Sequence, residues 1–140
     1  MRFWDSSAIL PLALDEPSTK VVRSLLRNDA ELILWWGTPV ECASALERTV
    51  REGRLARAAA ESAWAVVASL RERAFEVQPA EEVRLRSLRL LKLHPIRAAD
   101  AFQLAAALTW CREQTVGSGF VCLDERLRQA ASLEGFDLLP

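Results

Sequence analysis

Asp5, Glu41, Asp100 and Asp124 are the residues of this 140-residue chain best placed to do chemistry. Asp5 follows the apolar pair Phe3-Trp4, and Asp124 follows Phe120-Val121-Cys122-Leu123, the pattern of strands that stop at a polar edge. Glu41 comes a short turn after the apolar run Leu32 to Trp36, and Asp100 lies early in the helical stretch that starts at Pro95. In an open parallel sheet, ligands bind beyond the carboxyl ends of the strands, so these acids are expected to converge on one cleft. Carboxylates held close together raise each other's pKa and cannot all ionise without a compensating cation. Hard divalent ions take oxygen ligands, and an ion held there polarises a phosphodiester and lowers the pKa of a water nucleophile. His94 is the only histidine, which excludes a two-histidine mechanism and a His-rich metal site within one chain. Hydrolysis of a phosphate ester is the reaction class that fits carboxylates alone.

Each acid also has an ordinary structural role open to it. Thr38-x-x-Glu41 has the spacing of a capping box. Asp124 suits an N-cap, and Asp100 complements the positive end of a helix dipole. Four such coincidences at one sheet edge are a poorer account than one acidic site. A receiver domain would want an acid pair at its first strand and a late strand-end lysine. Lys20 and Lys92 both fall in predicted helices. A haloacid-type phosphatase would want Asp-x-Asp, whereas here the run is Asp5-Ser6-Ser7.

The elements that must position these acids are legible in the apolar periodicity. Short strands are expected at Phe3–Trp4, Leu32–Trp36, Phe75–Val77, Phe120–Leu123 and Phe136–Leu139. Helices are expected at Ala8–Leu14, Pro17–Arg27, Thr38–Glu52, Leu55–Ala74, Ala80–Leu93, from Pro95 through Leu108, and Glu125–Leu133. The helices Thr38–Glu52 and Leu55–Ala74 should form an antiparallel hairpin. Strands alternating with helices predict an α/β domain with a mainly parallel sheet, residues 1–140 forming one unit. Trp35 and Trp36 would point to opposite faces of a covered sheet and both be buried, and Trp64 is expected in the core or, less commonly, at an interface. His94, just before Pro95, is expected at a helix start rather than in catalysis.

Composition narrows the setting. Half the residues are apolar and a quarter charged, as in an ordinary globular protein. No apolar run approaches the ~20 residues of a membrane span, and the N-terminus lacks the features of a signal peptide, so a cytoplasmic protein is expected. Cys42, Cys111 and Cys122 are odd in number and lack metal-site spacing, the mark of small buried side chains. The net charge of −1 neither favours nor excludes a nucleic-acid partner. Sixteen arginines stand against two lysines, a bias compatible with phosphate contact and equally with a GC-rich genome.

Four segments, in order and spanning almost the whole chain, resemble the motifs of PIN-domain proteins, above all the VapC-type toxins of bacterial toxin–antitoxin pairs. They are Phe3–Leu10 continuing to Asp15-Glu16-Pro17, Pro39–Leu46, Ile96–Ala105 and Phe120–Leu127. The resemblance implies a three-layer α/β/α sandwich with a sheet of four to five strands, and Mg²⁺- or Mn²⁺-dependent endoribonuclease activity on single-stranded RNA. By position it makes Asp5 and Asp100 the principal metal ligands. Asp124 would bind the metal or one of its waters, and Glu41 would do either. Ser7 matches a supporting hydroxyl, or else makes an ordinary hydrogen bond at a helix start. Cys122 departs from the Thr or Ser found in many relatives. Arg97 and Arg126 flank two of the acids and are candidates to hold RNA phosphates. The resemblance also implies a cognate VapB-like antitoxin and a homodimer. A PIN-like binding module without catalysis is the rival reading, and it would carry a broken acidic set.

Overall fold

The computed structural model describes residues Met1–Pro140. Five strands form one sheet: β1 (Arg2–Trp4), β2 (Leu32–Trp35), β3 (Phe75–Val77), β4 (Gly119–Val121) and β5 (Asp137–Leu139). Their order is β3-β2-β1-β4-β5, and every neighbouring pair is parallel. Parallel neighbours require crossovers, and seven helices supply them: α1 (Ser6–Ala13), α2 (Thr19–Asn28), α3 (Thr38–Arg51), α4 (Arg57–Arg73), α5 (Glu81–Leu93), α6 (Ala98–Trp110) and α7 (Glu125–Leu133).

Strand alternation sorts the helices into two layers. Phe3, Ile33, Trp35 and Phe120 point to one face, where they pack with α5, α6 and α7. Trp4, Leu32, Leu34 and Val121 point to the other, where they pack with α1 to α4. Phe3 and Phe120 stack across β1 and β4 at 5.4 Å between ring centroids. This is the expected three-layer α/β/α sandwich, with five strands and a wholly parallel sheet. No helix is long and apolar enough to cross a membrane.

Some expectations shift. β2 ends at Trp35, which is buried, whereas Trp36 falls in the following turn and is 50% exposed. Trp64 faces outward from α4 and is 41% exposed, because Ala60, Ala63, Val67 and Leu70 form that helix's buried stripe. β4 stops at Val121, so Asp124 sits beyond a short connector instead of at the strand end. α6 begins at Ala98, leaving Pro95, Ile96 and Arg97 outside it. His94 closes α5, and its Nε2 lies 2.7 Å from Glu134 at the end of α7. Cys42 and Cys122 are buried, but Cys111 is only partly so.

Candidate active site

The sheet order reverses at β1. The chain runs outward through β2 to β3, then returns to place β4 on the other side of β1. At such a switch point the loops leaving the carboxyl ends diverge and open a crevice. A cleft of about 890 Å³ lies there, and all seven residues singled out in the sequence line it: Asp5, Ser7, Glu41, Arg97, Asp100, Asp124 and Arg126.

Asp5 is the most enclosed of the acids, at 3% exposure. It is the N-cap of α1, and its Oδ2 accepts the Ser7 backbone N–H at 2.9 Å. The Cys122 thiol donates to the same oxygen over 3.6 Å. Burial pushes the Asp5 carboxyl above its usual range; the Ser7 and Cys122 bonds oppose this, and the nearby Asp100 charge adds to it. Burial and the Asp5 charge likewise push up the Cys122 thiol, so it remains a proton donor and not a nucleophile. Cys122→Ser is expected to retain the activity of the unmodified chain within about threefold, since a hydroxyl offers Asp5 a better donor than a thiol. A loss of more than an order of magnitude in the phosphate-ester hydrolysis predicted from the sequence would show that sulfur is specifically required.

Glu41 sits in the first turn of α3, yet the capping box its spacing suggested does not form. The N-cap position is Gly37, with no side-chain cap. Instead Glu41 reaches across the cleft: Ser6 Oγ donates to its Oε2 at 2.9 Å, and Gln103 Nε2 donates to its Oε1 at 3.1 Å. Burial raises its pKa to about 7; the Ser6 and Gln103 bonds hold it down, while Asp5 and Asp100 push it up. Gln103 also donates to Thr38 Oγ1 at 3.1 Å, so one fully buried amide ties α6 to the start of α3.

Asp100 and Asp124 cap their own helices and keep one oxygen free. Asp100 Oδ2 accepts the Arg97 backbone N–H at 3.1 Å, and Asp124 Oδ1 accepts the Leu127 N–H at 2.9 Å. The positive ends of α1, α6 and α7 therefore face the cleft together, which favours anions there. Asp124 is the exposed member of the set. Ser7 makes two contacts at the start of α1. Its N–H donates to the capping carboxylate of Asp5, and its hydroxyl accepts the Leu123 N–H at 2.9 Å, clamping α1 to the connector that carries Asp124.

Gln103, Ser6 and Arg48 line or brace the site without having been singled out in the sequence. Gln103 did leave a trace. It is the one polar residue in the run Ala101 to Leu108, three positions after Asp100 and therefore on the same helix face. If the cleft hydrolyses a phosphate ester as the sequence predicts, Gln103→Leu is expected to slow that hydrolysis about tenfold to a hundredfold, the range for losing a group that orients a residue of the site. Unchanged rates would mean that Ser6 alone holds Glu41.

The donor set suits a hard divalent ion. It is all oxygen, and the carboxylates lie close enough that Asp100 pushes up the pKa of Asp5 and both push up that of Glu41. The side chains do not form a closed cage, since no three or more His, Cys, Asp or Glu groups surround one point. Mg²⁺ does not need one: it binds through one or two carboxylates and keeps several waters.

Fold and site together define a PIN-like α/β/α sandwich with an acidic cleft at the carboxyl edge of its sheet. VapC20 of Mycobacterium tuberculosis, a sarcin–ricin loop cleaving toxin, shares this fold at a TM-score of 0.71 and 16% identity, over 98% of this chain and 97% of that one. FitAcB of Neisseria gonorrhoeae does so at 0.62 and 16%, over 100% and 97%. A structure from Pyrobaculum aerophilum matches at 0.63 and 22%, over 92% and 78%. No protein-family model and no curated protein sequence matches the chain.

Proposed function

We propose that this chain is a metal-dependent endoribonuclease that acts as the toxin of a toxin–antitoxin pair. The observation that carries the reading is the convergence of four carboxylates, from four separate segments, on one cleft with no histidine in it. The shared fold with VapC20, an RNA-cleaving toxin, supports it. A binding module without catalysis has no need to hold Asp5 and Glu41 under mutual repulsion.

Asp5 and Asp100 are the residues we assign to Mg²⁺ or Mn²⁺, with Asp124 binding the ion or one of its waters. When bound, the ion supplies a Lewis acid for the phosphodiester and an acidified water. Glu41 lies in the cleft beside Asp5 and is placed to accept a proton from the attacking water. Ser6 and Gln103 fix the direction in which its carboxylate points. Arg97 and Arg126 hold phosphates beside the acids.

The test is incubation of purified, antitoxin-free protein with structured RNAs, a sarcin–ricin loop oligonucleotide first among them, in Mg²⁺, Mn²⁺ or EDTA. Cleavage that requires the metal and is lost in Asp100→Asn is expected. Absence of cleavage across the RNA panel, or cleavage unaffected by EDTA, would overturn the reading. Growth arrest on expression, relieved by the product of an adjacent gene, would test the toxin–antitoxin assignment.

A further inference from the structure

We propose that Arg48 is a substrate-positioning residue that binds an RNA phosphate on the α3 side of the acidic cleft, completing with Arg97 and Arg126 a track of cations across the sheet edge. The inference rests on the endoribonuclease reading. It begins from a problem of charge. Five carboxylates line the cleft, Glu125 joining the four already described. RNA is a polyanion, so a cleft this acidic repels the substrate unless fixed cations meet its backbone on either side.

Three arginines line the same cleft: Arg48, Arg97 and Arg126. Arg48 comes from α3, which packs on one face of the sheet, whereas Arg97 precedes α6 and Arg126 lies in α7, both on the opposite face. The acids at the sheet edge are thus flanked by guanidinium groups from both helix layers. On α3, Glu41, Ala45 and Arg48 fall at helical spacing on one stripe, so the element that supplies Glu41 carries Arg48 two turns further along the cleft wall.

None of these three guanidinium groups forms an ion pair, although carboxylates surround them. Seven of the thirteen other arginines do pair, among them Arg57 with Glu47, Arg71 with Glu76 and Arg89 with Glu134. The acids flanking Arg48 in the chain, Glu47 and Glu52, are held by Arg57 and Arg54. The cleft acids are oriented by uncharged donors instead, namely Ser6, Gln103 and the backbone N–H groups of Ser7, Arg97 and Leu127. This arrangement leaves the three arginines lining the cleft without a salt-bridged partner, although Arg48 also acts at longer range on Glu52. A guanidinium gives a phosphate two parallel hydrogen bonds, which fixes the strand's position as well as adding affinity.

The measurement is fluorescence anisotropy of a labelled RNA hairpin with a single-stranded loop, titrated in EDTA so that nothing is cut, over a salt series. Arg48→Ala is expected to weaken binding about tenfold. It should also flatten the plot of log K against log salt by about 0.7 to 0.9, the loss of one phosphate contact. Arg48→Lys should restore the slope, and Arg51→Ala, exposed on the same helix but outside the cleft, should match the unmodified chain. RNA bound and cleaved normally with unchanged affinity and slope in Arg48→Ala would overturn this inference alone. An equal loss in Arg51→Ala would also overturn it, pointing to bulk charge. No RNA binding by the unmodified chain would overturn it together with the nuclease reading.

Discussion

Replacing Asp5 by Asn is expected to abolish RNA cleavage while making the metal-free protein more stable. Asp5 is nearly inaccessible, its carboxyl is pushed upward by burial, and the Asp100 charge acts on it from across the cleft. The fold therefore carries the cost of a buried anion, only partly offset by the Ser7 N–H and the Cys122 thiol. Asparagine has the same shape and keeps an oxygen to accept from Ser7, but it brings no charge into the site. The same exchange removes an anionic ligand for the cation. Cleavage should fall by about 10²-fold to 10³-fold or more, the scale for losing one preorganised electrostatic group. In EDTA at pH 8 the melting temperature should rise by about 3 °C for each kcal/mol of relieved repulsion. Gain of stability on loss of activity is the behaviour of a strained functional residue. A variant that melts lower would mark Asp5 as a structural helix cap. A variant that still cleaves would remove it from the chemistry.

The strands and the acids were legible for the same reason: both are written in local pattern. Phe3-Trp4-Asp5 and Leu32 to Trp35 carry their alternation and their polar stop within a few residues, and the two faces of the sheet follow from that alternation. What the local pattern misjudged were residues decided by distant partners. Thr38-x-x-Glu41 is an unremarkable capping box by spacing, yet Gln103, 62 residues further on, takes Glu41 across the cleft. Trp36 looked like strand because it extends an apolar run, but the chain turns at Gly37, where a Cβ would lie 2.5 Å from the Trp35 indole Nε1. Trp64 looked like core because it is large, whereas Ala60, Ala63, Val67 and Leu70 form the buried stripe of α4 and leave Trp64 outside it. Arg48 gave no signal of its own. Only the layer assignment of α3 shows that it faces Arg97 and Arg126 over the acids.

The second large effect is a reversal of the pH dependence of stability by divalent cations. Glu41 has a folded-state pKa of about 7 against an ordinary value of 4.5, and the Asp5 pKa is shifted in the same direction. A carboxyl whose pKa is raised by folding favours the folded state while protonated. Its contribution is full below the unfolded value and is lost as pH rises through the folded one. In EDTA the melting temperature should therefore fall between about pH 5 and pH 8. Glu134 and Asp29, whose pKa values are lowered in the fold, contribute across this whole range and do not reverse the trend. With Mg²⁺ or Mn²⁺ the ionised acids become ligands, binding strengthens with pH, and the cation stabilises the fold by mass action. At a metal concentration about a hundred times the dissociation constant that amounts to about 2.7 kcal/mol. The melting temperature in metal should then exceed that in EDTA by about 5–10 °C at pH 8 and by almost nothing at pH 5. Glu41→Gln should flatten the decline in EDTA without abolishing the metal response, whereas Asp5→Asn should suppress both. Parallel melting curves in metal and EDTA across the pH range would show that these carboxylates repel one another for some purpose other than holding a cation.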